Sequence, residues 1–110
     1  MKMIRIKGGL INELEMRIEA SKELQWQYEK QINVLQSEIA RLNDEYIKSM
    51  KVDINLLTDK NLKFLLDYRQ SIINEIISNN EKVSELSISL GKQSEILGLL
   101  NKCHYFVVNF

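Results

Sequence analysis

Two runs of apolar residues, spaced alternately three and four apart, constrain this chain more than any other feature. Ile11, Ile18, Gln25, Ile32, Ile39 and Tyr46 fall seven apart, and Leu14, Ser21, Tyr28, Leu35, Leu42 and Ser49 each fall three residues later. A mean spacing of 3.5 keeps one seam on one side of a slightly underwound helix. Such a stripe is too apolar to stay in water, so the helix needs a partner. The pattern recurs in Leu62, Arg69, Ile76, Val83, Leu90 and Leu97, with Leu65, Ile72, Asn79, Leu86, Gln93 and Leu100 three later. Tyr46 and Leu62 do not stand a whole number of heptads apart, so one uninterrupted seam cannot join the two runs.

The frame break therefore predicts two helices with a connection between them. Gly8-Gly9 reads as a joint, since glycine is unfavourable inside a helix, and places the start of the first helix near Leu10. Met1–Lys7 is short and basic, with Ile4 and Ile6 two apart, and fits either a short strand or a helical turn. The first helix then runs to about residue 50, the connection over about 51–58, and the second helix over about 59–101. Thr58 followed by Asp59 reads as an N-cap with an acid in the first turn, and Asp53 is a competing cap. Two helices of near-equal length joined by a short connection pack as an antiparallel hairpin. The predicted fold is all-α, a long two-helix antiparallel coiled-coil hairpin forming a single domain. In a symmetric hairpin Ile18 faces Leu90, Ser21–Gln25 lie opposite Glu85–Ser89, and Asn79-Asn80 lie opposite Tyr28–Lys30. Gly91 and Gly98 loosen the end of the second helix. Residues 102–110 form an apolar, β-prone tail ending in Tyr105-Phe106-Val107-Val108-Asn109-Phe110. Such a tail should be covered, by Met1–Lys7, by a second copy or by a partner.

Composition limits what the hairpin can do. Fifteen basic residues balance fifteen acidic ones, without the basic excess that nucleic-acid binders carry on one face. No apolar run approaches the roughly 20 residues of a membrane span, and the N-terminus does not read as a signal peptide. The lone Cys103 excludes an internal disulfide and fits a reducing compartment, so the expected location is the cytoplasm. Cys103-His104 is the one metal-like pair. Neighbours in sequence with no further Cys or His make neither a metal site nor a nucleophile–base pair. Gly8-Gly9 lacks the Lys-Ser/Thr that would make a phosphate loop. No catalytic, cofactor-binding or metal-binding residues are expected.

What remains is contact chemistry. Trp26 lies one residue past a seam position and either folds back over the seam or stands exposed as a contact hot spot. Phe64 and Tyr68 lie four apart beside a seam already filled by Leu65 and Ile72, so the two rings face outward together or pack beneath the turn. With Tyr105, Phe106 and Phe110 of the tail, these are the candidate partner-binding residues. A seam closed within one chain favours a monomer over a homodimer.

Leu57-Thr58-Asp59-Lys60-Asn61-Leu62, followed by Leu65-Leu66-Asp67-Tyr68-Arg69-Gln70-Ser71-Ile72, carries a resemblance to a known family. It is similar to the start of the second helix in the SpaM (InvI) branch of the type III secretion stalk proteins, the FliJ/YscO/SpaM-InvI family. There a hydroxyl cap is followed by Leu-Leu and by a basic-Gln-Ser-Ile run. Arg5-Ile6-Lys7 resembles a stretch near that branch's N-terminus. This chain is shorter than most members, and its end is apolar where theirs is highly charged. The resemblance implies a non-enzymatic stalk in the pore of the hexameric secretion ATPase, in contact with the export-gate membrane protein and handled by secretion chaperones. The alternative is a secretion chaperone or a structural coiled-coil homodimer, which would dimerise through its own seam.

Overall fold

The computed structural model describes residues 2–110, with side chains over 5–110. Helix α1 (Lys2–Met50) and helix α2 (Asp59–Asn109) are linked by a connection holding one 3-10 turn, Ile54–Leu56. The fold is all-α, a two-helix antiparallel coiled-coil hairpin. Every seam position over 11–49 and 62–100 is buried or half-buried, as the two heptad series require.

The chain divides into two compact units, residues 1–31 with 86–110, and residues 32–85. The second contains the connection. There α1 ends in a tightened turn, with Lys51 N donating to Lys48 O at 3.2 Å and Val52 N to Ser49 O at 3.4 Å, satisfying carbonyls that a helix end leaves free. Both candidate caps are used, at different elements. Asp53 accepts from Asn55 N at 3.0 Å and caps the 3-10 turn. Thr58 Oγ1 accepts from Asn61 N at 3.2 Å and caps α2, as a hydroxyl at that position should. Leu42 and Ile72 are the most deeply buried side chains, 2% and 3% exposed. Arg69 occupies a seam position for a specific reason. Its guanidinium donates to Ser49 O at 2.7 Å and to Ser49 Oγ at 3.3 Å. A cation from α2 thus gives Ser49 O, which already accepts from Val52 N, a second and shorter hydrogen bond at the C-terminus of α1.

Among the described residues of the other unit, Leu14 and Ile18 are the buried apolar ones, and Ser21 is buried with them. Ser21 Oγ donates to Gln93 Oε1 at 3.2 Å, and Gln25 Nε2 donates to Gln93 O at 3.3 Å. One polar layer thus interrupts the apolar seam with its groups paired. Among the described residues no buried side-chain nitrogen or oxygen lacks a partner, the usual condition of a folded interior.

Three expectations are corrected. Gly8-Gly9 is not a joint: α1 continues through it back to Lys2, with Lys7 half-buried in the frame of Ile11 and Leu14. The helix carries two glycines, at about 1 kcal/mol each, because seam contacts on the C-terminal side extend it. The apolar tail is not a separate extended segment: α2 runs through Gly91, Gly98 and residues 102–110 to Asn109. His104 and Val107 continue the heptad frame of Leu97 and Leu100 and are half-buried. Seam contact there outweighs β-propensity, a preference that depends on packing more than on the backbone. The symmetric register is also wrong. Ser21 and Gln25 meet Gln93 rather than Glu85–Ser89, so Ile18 lies beside residues well past Leu90. Likewise Ser49 meets Arg69, which in the same unit carries Asn79 toward Ile39 instead of Tyr28–Lys30. The cause lies in the connection, which folds back along the first turns of α2: Val52 and Leu57 share a cleft with Asn61, Phe64, Leu65 and Tyr68. The cover expected from Met1–Lys7 falls, for residues 1–4, outside the side chains described.

Candidate partner-binding surface

Two separate surfaces carry the aromatic residues singled out from the sequence. Beside the connection, Phe64 is 75% exposed and Tyr68 is also exposed. They stand four apart on the outer side of α2, because Leu62, Leu65 and Arg69 take the inward positions, and residues at that spacing are neighbours on a helix surface. With Val52, Leu57, Asn61 and Leu65 they line a shallow apolar cleft of about 230 Å³. The connection supplies further exposed apolar groups, Ile54 and Leu56. Tyr68 Oη donates to Glu45 Oε2 at 3.1 Å, which ties the phenol to α1 and leaves its ring edge at the cleft. That bond to a carboxylate pushes the Tyr68 hydroxyl above its usual pKa, because it favours the protonated form. Glu45 also accepts from Arg41 at 2.7 Å, and Arg41 chelates Glu38. The rim of this surface is therefore a charge network joined by ionic hydrogen bonds. The Arg41 guanidinium holds the Glu38 carboxyl below the usual carboxylate range by stabilising its charged form.

In the other unit Tyr105, Phe106 and Phe110 are all exposed, Phe110 by 84%. Their rings touch in sequence. Tyr105 meets Phe106 edge-on at 6.0 Å between centroids, and Phe106 meets Phe110 at 5.6 Å, separations at which aromatic pairs attract. Trp26 does not fold back over the seam. It is 55% exposed on α1. Lys30 Nζ lies 5.1 Å from its ring centroid, within reach of a cation–π contact. The structure thus brings Phe64 together with Tyr68, and Tyr105 with Phe106 and Phe110, and leaves Trp26 apart from these rings on α1, beside Lys30.

Sequence reasoning missed Glu45, which positions Tyr68 from 23 residues away. It also missed His104 as a seam residue. His104 Nε2 lies 3.2 Å from Glu15 Oε1 across the two helices, and the step of seven from Leu97 could have signalled its seam position though not this partner. Among the described residues no group of three or more His, Cys, Asp or Glu could hold a metal ion, and no helix is long and apolar enough to cross a membrane.

Fold and surface together define a class: a two-helix coiled-coil hairpin with exposed aromatic residues. Comparison with protein-family models, with curated proteins and with solved structures finds no match.

Proposed function

We propose that this chain is a non-enzymatic stalk or adaptor of a type III protein secretion apparatus, working in the cytoplasm. Its partners are the hexameric secretion ATPase, the export-gate membrane protein and secretion chaperones. The observation that carries the reading is the surface formed by Phe64 and Tyr68. Two rings stand exposed where a hairpin reverses, on the same stretch, residues 57–72, that resembles the stalk family. A hairpin whose seam is satisfied within one chain needs no second copy to fold, as suits a monomeric stalk. It can therefore present that end to another protein, and exposed aromatic rings are the groups that anchor such contacts.

The test uses the purified chain with an export-gate cytoplasmic domain and a secretion ATPase. Phe64→Ala with Tyr68→Ala should abolish export-gate binding while leaving helicity and the melting temperature nearly unchanged. Deleting Tyr105–Phe110 should reduce stimulation of ATP hydrolysis. A wild-type chain that neither binds the gate nor stimulates the ATPase overturns the reading.

A further inference from the structure

We propose that the outer face of α2 from Ile88 to Asn109 is a self-association surface on which a second copy of the chain docks antiparallel, helix against helix. This surface lies on the side of α2 opposite the seam, where coiled coils normally carry solvated polar residues. The first part of α2 largely follows that rule, with Lys63, Asp67, Gln70, Ser71, Asn74, Ser78 and Glu81 exposed on the side away from the seam and only Phe64 and Ile77 as exposed apolar residues among them. From Ile88 onward the character changes. Ile88, Leu99, Tyr105 and Phe106 are all exposed there, with Gly91 and Gly98 exposed between them. A side chain added at either glycine would meet nothing within 4 Å, so the hairpin itself has no need of glycine at these positions.

Charge and shape together select the occupant. An antiparallel copy centred between Gly98 and Leu99 sets Glu95 against the partner copy's Lys102, and Lys102 against its Glu95. Neither residue has an ion-pair partner among the described residues. The same register lays the ring of Phe106 over the bare backbone at Gly91 of the other copy, Leu99 over Gly98, and Tyr105 beside Lys92, where a cation can sit on the ring face. Each contact occurs twice because a two-fold interface is isologous. Parallel pairing instead sets Glu95 against Glu95 and Lys102 against Lys102. The contact is one helical face about 30 Å long and about 10 Å wide, an area well below the roughly 800 Å² per partner of a stable interface. The dimer is therefore weak and concentration-dependent. It does not depend on the stalk reading: it shares Tyr105 and Phe106 with the tail assigned there to the ATPase, but it uses neither the seam nor Phe64 and Tyr68 and is tested on the chain alone.

Sedimentation equilibrium of the whole chain, with Cys103 kept reduced, tests the inference. The wild type should pass from monomer to dimer as concentration rises from micromolar toward millimolar. Glu95→Lys alone and Lys102→Glu alone should each weaken dimerisation about tenfold. An equimolar mixture of the two variants should dimerise as well as the wild type, since both cross-pairs are then restored. Gly91→Leu should raise the melting temperature of the hairpin yet weaken dimerisation. A chain that stays monomeric throughout overturns the proposal. So does a mixture that associates no better than its components, or a Gly91→Leu variant that dimerises more tightly.

Discussion

Tyr68 shows how a single side chain joins the two helices. Its hydroxyl is held protonated by the hydrogen bond to Glu45, so the folded-state pKa lies above the unfolded one. The stabilisation is present below the ordinary tyrosine range and is lost as pH rises through the folded value. Glu45→Gln should lower the Tyr68 titration, read as tyrosinate absorbance against a Tyr68→Phe control. An unchanged curve would show that the bond does not hold in solution. Glu38 has the opposite sign. Arg41 lowers its pKa, so its contribution is present above the ordinary carboxylate range and is lost as pH falls through the folded value. Because that pair lies at the surface with both side chains about half exposed, the melting temperature should respond only slightly to acid there. Arg69 matters more. The change Arg69→Ala removes both guanidinium hydrogen bonds to Ser49 at the end of α1. It should cost about 1 kcal/mol or somewhat more, measured by urea unfolding. Its seam position was plain from spacing, but its partner was not, because Ser49 lies 20 residues away.

At the scale of elements, the heptads placed the seams and the caps placed the start of α2. The glycines misled in both helices. Glycine lowers helix propensity by a fixed local amount, whereas seam burial extends along the helix, so a joint cannot be read from glycine alone. At Gly8 and Gly9 an added methyl meets nothing within 4 Å. Gly8→Ala and Gly9→Ala should therefore each stabilise the hairpin by up to about 1 kcal/mol. A loss of stability at either position would mean that α1 does not run through it. Leu42 sits in the tightest part of the seam, and Leu42→Ala should cost roughly 2–4 kcal/mol by thermal or urea unfolding. Tyr105–Phe110 looked extended because its residues are β-prone. The step of seven from Leu97 to His104 was the stronger signal, since it puts two further residues into an existing seam.

For the whole molecule the open quantity was register. Cysteines introduced at Gln25 and Gln93, in a Cys103→Ser background, should crosslink within one chain, as these residues meet directly. Cysteines at Ile18 and Leu90, the pair of the symmetric hairpin, should crosslink poorly. The reverse result would restore the symmetric register. The sequence by itself determined that there are two helices and which stripe each buries, because a 3.5-residue period admits no other burial for these side chains. It also determined that the two run antiparallel, because so short a connection lets neighbouring helices pack in no other way. It could not determine which turn meets which. A heptad seam looks nearly the same after a slip of seven residues, so apolar matching barely distinguishes the alternatives. The choice was made by contacts that exist only in three dimensions. The connection folds back along α2, Arg69 caps the end of α1, and Gln93 closes a polar layer with Ser21 and Gln25. A slip would leave those polar groups buried without partners.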